Sequence, residues 1–224
     1  MTPRPRAILF DWDNTLVDNW AVIAESMNAV FEAFGMPRWT LAETKARTRA
    51  SLRDSFPKLF GKRVTEAGQI FTDCFAARHL ERLREMPGAG DLLRGLAGRG
   101  LHLGIVSNKR GRFLRLEAEH LGWTGHFVRL VGAADAPEDK PAIAPVDLAL
   151  AGSGIPRGPE VWFVGDADID IVCAVNAGCF PVLLRREPIG AGEFDSHKPG
   201  LHLPDCASLA ARLGEAGVLP PPIL

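Results

Sequence analysis

The chain has 224 residues, with 26 Lys and Arg against 27 Asp and Glu and a formal net charge of −1. That length fits one large domain, or a core carrying a smaller insertion. Balanced, scattered charge gives no electrostatic case for nucleic acid or for an anionic membrane surface as partner.

The first predicted element is "AILF" (7–10), a continuous apolar run of the kind that forms a strand buried on both faces of a parallel sheet. It ends in Asp11 and Asp13, followed by Asn14, Thr15 and Leu16. Trp20, Ile23, Met27, Val30, Phe31 and Phe34 then recur at three- and four-residue steps. They predict a helix with Asp18 or Asn19 as N-cap and Gly35 as its stop. Ile70, Phe71, Cys74 and Phe75 repeat the pattern. No strand-like run appears in residues 19–86, which read as a small helical bundle inserted after the first strand. Pro87-Gly88 marks the return to the core.

Further on, "GAGDLLRGLAGRG" puts Leu92, Leu93 and Leu96 on one helical face. "LHLGIVS" (101–107) reads as a strand. "GRFLRLEAEHLG" reads as a helix whose inner face carries Phe113, either Leu116 or Glu117, and Leu121. "VRLVG" (128–132), "VWFVG" (161–165) and "PVLLR" (181–185) complete the strand-like runs. Strand–helix alternation from residue 88 onward predicts a doubly wound α/β core with a parallel sheet. The end, "VLPPPIL", is too Pro-rich for a helix or an inner strand and is expected to be extended or frayed.

In open α/β sheets, ligands bind beyond the carboxyl ends of the strands. After "AILF" come Asp11 and Asp13; after "LHLGIV" come Ser107, Asn108 and Lys109; beyond "VRLVG" lie Asp139, Lys140 and Pro141; after "VWFVG" come Asp166, Asp168 and Asp170. Acids gathered in one cleft repel unless a cation joins them. No His/Cys set is at hand, so the expected cation is hard and oxygen-preferring, with Mg²⁺ the natural candidate. Lys140 adds a positive charge. Ser107 adds a hydroxyl ahead of a helix start, and helix N-termini attract phosphate. Together these make a phosphoryl-transfer site.

The ordered set "DWDNTL", "VSN", "DKP" and "GDADID" resembles the motifs of the haloacid dehalogenase-like hydrolases. The stretches "MPGAGDLLRGLAGRGLHLGIVSNKRG" and "EDKPAIAPVDLALAGSGIP" are similar to the phosphoglycolate phosphatase-type branch. The resemblance implies a Rossmann-like core (1–18 and 87–224) with a helical cap (19–86), where it is weakest. It also implies a Mg²⁺-dependent phosphatase of a small phosphorylated metabolite. Asp11 would be the nucleophile that forms an aspartyl-phosphate, and Asp13 the general acid and then the base. Asp11, the Asp13 main-chain carbonyl and Asp166 would ligate Mg²⁺, with Asp170 supporting the metal or its waters. Ser107 would hydrogen-bond a phosphoryl oxygen, with Asn108 nearby, and Lys140 would offset the charge of Asp11 and the phosphoryl group. Thr15 would brace the first loop or contact phosphate. Asp168 fits no required slot and is expected to cap the following helix. Where the family usually has Gly after the second acid, this chain has Asn14, which tolerates the positive φ that the turn calls for.

Asp13 favours phosphate esters over carbon–halogen bonds, since the family's dehalogenases lack that acid. Its mutases carry a His soon after the first motif, and "DNWAVIAES" contains none. A phosphomutase, or an aspartate phospho-acceptor domain without turnover, remains the alternative. Substrate choice belongs to the cap, whose basic stretch holds Arg47, Arg49, Arg53 and Lys58. Arg53 is the preferred substrate contact there, the others reading as a solvated face. His79, His102, His120, His126, His197 and His202 form no obvious pair and read as structural or surface residues. The ring of Trp12, between the two acids, must point away from them. The four cysteines lack metal spacing and read as free thiols of a reducing compartment. With no signal-like start and no span near ~18 apolar residues, the protein is expected to be cytoplasmic. The oligomeric state stays open.

Overall fold

The computed structural model describes residues 2–48 and 51–220. In chain order the elements open with β1 (Ala7–Phe10), β2 (Val17–Asp18), α1 (Trp20–Ala33), α2 (Leu41–Arg47), α3 (Leu52–Phe60), α4 (Val64–Ala76), α5 (His79–Arg82) and β3 (Arg84–Glu85). They continue with α6 (Ala89–Leu96), β4 (His102–Arg110), α7 (Gly111–His120), β5 (Arg129–Ala133), α8 (Ala144–Leu150), β6 (Val161–Gly165), α9 (Asp168–Asn176), β7 (Phe180–Leu184), β8 (Leu201–Leu203) and α10 (Cys206–Glu215).

Six strands form one parallel sheet in the order β5-β4-β1-β6-β7-β8. The chain builds outward from β1 through β4 to β5, then crosses back and builds the other way through β6. The carboxyl end of β1 therefore lies at the switch point where such sheets bind ligands. Successive side chains of a strand face opposite sides. Ile8, Phe10 and Trp12 pack with Leu92, Leu93 and Leu96 of α6, Leu114 of α7 and Leu209 of α10. Ala7 and Leu9 pack with Val146 of α8 and Ala174 of α9 on the other face. Helices on both faces make the sheet doubly wound, as the apolar runs predict.

Between β1 and β4 the chain departs into helices α1–α5. Their apolar faces close on one another around Val30, Phe31, Phe56, Phe60, Phe71 and Phe75, with Phe113 of α7 joining from the core. Thr40 starts α2 with a reciprocal capping box to Glu43, and the Ser51 hydroxyl caps α3. Two short strands here, β2 and β3, have no counterpart among the predicted apolar runs. β3 pairs antiparallel with β2, Val17 opposite Glu85 and Asp18 opposite Arg84, where the chain leaves and rejoins the core. Two residues are too few to show a period. β8 and α10 also lie beyond the predicted elements; "LHL" is short and half-exposed at the sheet edge. Of the Pro-rich end, Val218 and Leu219 pack into the core, and residues 221–224 lie outside the described ones, as does Arg49. Among the described residues no helix is long and apolar enough to cross a membrane, and the four cysteines are free thiols.

Candidate active site

Asp11 continues the β1 ladder, its N–H donating to the Val164 carbonyl at 2.8 Å. The chain then turns: the Leu16 and Val17 N–H groups both reach back to the Trp12 carbonyl, and the Asn14 N–H donates to the Val17 carbonyl. Asn14 has φ +67°, the left-handed conformation expected of it. The alternation of β1 carries through: Asp11 and Asp13 line one cavity, while Trp12 is buried in the core.

Lys140 bridges two acids, Nζ lying 2.6 Å from Asp11 Oδ1 and 2.7 Å from Asp170 Oδ1. Carboxylate oxygens of Asp11, Asp166 and Asp170 lie within 4.8 Å of one another. The Thr15 hydroxyl sits at 3.5 Å from both Asp11 Oδ2 and Asp166 Oδ1, a brace at the limit of hydrogen bonding. Burial pushes Asp11 up to about 6, against an ordinary 3.8; Lys140 pulls it down and Asp170 pushes it further up. Burial and then the charges of Asp170 and Asp11 hold Asp166 well above the same ordinary value. Three crowded carboxylates sharing one ammonium make an all-oxygen donor set that fits a hard dication such as Mg²⁺.

Asp170 reaches the trio because Gly165 has no side chain. A Cβ there would stand 2.2 Å from the Asp170 Cγ. Asp170 Oδ2 also accepts the Ala167 N–H at 3.1 Å. The cap of α9 thus falls to Asp170 rather than to Asp168, which is already the first helical residue and accepts the Ile169 N–H. Two further expectations change in the second motif. β4 runs on through Arg110, with a register shift after Val106, so Ser107 stands in extended chain, four residues before α7. Its buried hydroxyl accepts the Lys109 N–H at 3.3 Å and lines the cavity. Asn108 uses its amide on Lys140: its Oδ1 accepts the Lys140 N–H at 2.9 Å and its Nδ2 donates to the Lys140 carbonyl at 3.2 Å. It is a clamp on the lysine's backbone as well as a cavity residue.

Arg53 does not join the site. It pairs with Asp139 at 2.9 Å, in a separate groove with Pro137 and Glu138. Consecutive helical residues point about 100° apart, and in α3 it is Leu52 that faces the cavity. Arg47 pairs with Glu43 on the outside, and Lys58 is exposed.

A second cluster, behind Asp13, escaped the motif reading. Lys109 Nζ lies 2.8 Å from Asp13 Oδ1 and 3.2 Å from Oδ2, and 3.1 Å from Glu117 Oε1. Asn19, at the N-cap position of α1, donates to Asp13 Oδ1 at 2.7 Å and to Glu117 Oε2 at 3.2 Å instead of capping its helix. His79 Nδ1 is 2.8 Å from Glu117 Oε1, and Trp12 Nε1 donates to Glu117 Oε2 at 2.7 Å. Burial works against the charge on Glu117, but Lys109, His79 and Trp12 outweigh it and hold the carboxyl below its ordinary value. The inner face of α7 therefore carries the acid, at 0% exposure, while Leu116 is 45% exposed. His79, expected to be structural or surface, is buried in this cluster.

The cavity these groups share measures about 730 Å³. Lys45, Arg110, Arg185 and Arg186 add cationic side chains to its wall and Asp18, Glu187, Glu193 and Asp205 acidic ones, with Arg185 paired to Glu193 at 2.6 Å; Trp20, Phe71, Phe75 and Phe113 make an apolar part.

This fold, with acids from β1 and β6 meeting a lysine at the switch point, agrees with a match to the haloacid dehalogenase-like hydrolase family over residues 8–183. The chain belongs to that family. Its relatives include the phosphoglycolate phosphatase of Photorhabdus laumondii, 28% identical over 197 residues (78% of this chain, 77% of that one). That of Chromobacterium violaceum is 29% identical over 211 residues (88% and 90%). A HAD-superfamily hydrolase from Ehrlichia chaffeensis shares 28% identity and a TM-score of 0.65 over 96% of this chain and 99% of its own. A haloacid dehalogenase-like family protein from Streptococcus pneumoniae, at 22% identity, shares the fold with a TM-score of 0.80 over 93% and 98%.

Proposed function

We propose that the protein is a Mg²⁺-dependent phosphatase of small phosphorylated metabolites that works through an aspartyl-phosphate on Asp11, with residues 19–86 as a cap over a core of 1–18 and 87–224. The observation that carries the reading is the placement of Asp11 and Asp13 on one cavity, with Lys140 at 2.6 Å from Asp11. Asp11 Oδ1 is engaged by Lys140, so Oδ2 is the freer oxygen and the attacking one. It bonds to phosphorus as the bond to the leaving alcohol breaks, and Asp13 gives that alcohol its proton. Asp13 then takes a proton from water as the water displaces Asp11 from phosphorus. Lys140 and the Ser107 hydroxyl stabilise charge on the phosphoryl oxygens. Mg²⁺, held by Asp11, Asp166 and the Asp13 main-chain carbonyl with Asp170 behind, would supply charge neutralisation there. The names of the relatives favour 2-phosphoglycolate as the first ester to try.

The test is phosphate release with Mg²⁺ from 2-phosphoglycolate, glycerol 2-phosphate, glucose 6-phosphate and p-nitrophenyl phosphate. Wild type releases phosphate from at least one ester, and Asp11→Asn loses activity on the order of 10⁴-fold or more. No release from any ester, or a variant as active as wild type, overturns the reading.

A further inference from the structure

Glu117 is hard to explain by stability. It is a fully buried acid on the apolar face of α7, where a hydrophobic side chain of similar size is often as stabilising as a buried ion pair, or more so. Its partners all lead to one place. Lys109 divides its ammonium between Glu117 and Asp13, and Asn19 divides its amide between the same two carboxylates. Lys109 is held further by the ring of Phe75, 4.4 Å from Nζ. Asp13 Oδ1 thus receives two short bonds, at 2.7 and 2.8 Å, while Oδ2 keeps only the longer contact with Lys109. The carboxyl is fixed with Oδ2 as the oxygen available to the cavity. Three parts of this support come from the helical insert: Asn19 at its start, Phe75 on α4 and His79 on α5.

We infer that Glu117 and His79 are positioning residues for proton transfer: they hold the Lys109 ammonium against Asp13, and His79 makes that alignment depend on the insert being seated on the core. The inference rests on the reading of Asp13 as acid and base. An alkyl alcohol needs a proton to leave, whereas p-nitrophenolate does not. Loss of alignment should therefore fall selectively on alkyl esters.

The experiment compares kcat/KM for the alkyl ester that wild type turns over fastest with kcat/KM for p-nitrophenyl phosphate, in Glu117→Gln, His79→Gln, Lys109→Met and Asp13→Asn. Melting temperatures run alongside. The expected result is a fall of about 10²-fold on the alkyl ester in Glu117→Gln and Lys109→Met, with a loss on p-nitrophenyl phosphate at least about tenfold smaller. His79→Gln shifts the ratio in the same sense by less. Equal losses on both esters in variants that fold, with Asp13→Asn still selective, overturn the inference and leave the phosphatase reading intact. An Asp13→Asn enzyme that shows no selectivity removes the acid/base role and the inference together. Glu117→Gln keeps the side-chain shape, so it carries the test if Lys109→Met does not fold.

Discussion

Asp11 and Asp13 stand two residues apart, yet the groups around them differ in charge and in origin. Around Asp11 there are three carboxylates and one ammonium, which leaves two negative charges for something outside the chain to balance. Around Asp13 there are two carboxylates and one ammonium, with Asn19, Trp12 and His79 in contact with them. The two acids and Lys109 together leave a single charge, a deficit one proton can balance. The first cluster comes from the core alone: the loops after β1, β5 and β6, and the first turn of α9. The second draws on α1, α5 and α7 as well. The difference teaches what each side is suited to hold: a dication and a phosphoryl group on one, a moving proton on the other, with Asn19, Phe75 and His79 of the insert meeting the second.

The largest effect that would break this contrast is expected of Asp166→Asn. It removes a charge from the deficient side, so phosphatase activity should fall on the order of 10³-fold, as cation polarisation is worth several kcal/mol. Stability should move the other way. Asp166 sits well above its ordinary 3.8, so in wild type without added cation the folded state holds protons that the unfolded state has lost. Stability is then lost as pH rises through the folded value. Asp166→Asn should therefore melt higher than wild type at pH 8 in the absence of divalent cation, with the gain fading towards pH 4. It should also lose the rise in Tm that Mg²⁺ gives wild type. A variant that melts lower at pH 8 would show that the trio is not under mutual repulsion. Gly165→Ala comes next. The overlap with Asp170 should cost about 3 kcal/mol, seen in denaturant melts, and should lower activity on alkyl esters and p-nitrophenyl phosphate alike, because the damage lies on the Asp11 side.

Much of this was legible before any coordinates. Buried parallel strands write themselves as apolar runs, and the rim chemistry follows each run directly, which is why Asp11, Asp13, Ser107, Lys140, Asp166 and Asp170 could be picked out by position. Arg53 failed for a geometric reason: the charge was visible, but the 100° step from Leu52 that turns it away was not. Asp168 sits where a helix cap is expected, but the turn hands that cap to Asp170, and Asn108 lines the cavity while its amide also clamps the Lys140 backbone. The Lys109–Glu117–His79 cluster had a weaker signal. Those residues have no common spacing; they meet through the packing of α5 on α7 and β4. One trace did exist, since Glu117 falls at the i+4 position from Phe113, on the stripe where an apolar residue belongs, and an acid there is costly unless something meets it.

The smallest expected effect concerns the turn that sends the two acids to their separate surroundings. Asn14 holds φ +67°, which costs a Cβ-bearing residue roughly 1–2 kcal/mol and costs Gly nothing. Asn14→Gly should fold with stability within about 0.5 kcal/mol of wild type and keep both acids in place: relief of the strained φ is offset by the entropy that Gly loses on folding. Asn14→Val, whose branched Cβ suits φ > 0 least, should cost about 2 kcal/mol. If the turn only sets direction, Asn14→Gly leaves the ratio of kcat/KM between alkyl and p-nitrophenyl esters at its wild-type value. A shift in that ratio would mean that the Asn14 side chain takes part in the Asp13 cluster. Its Oδ1, buried with no protein partner among the described residues, would then be the atom to follow, and the contrast between the two sides would run through the turn itself.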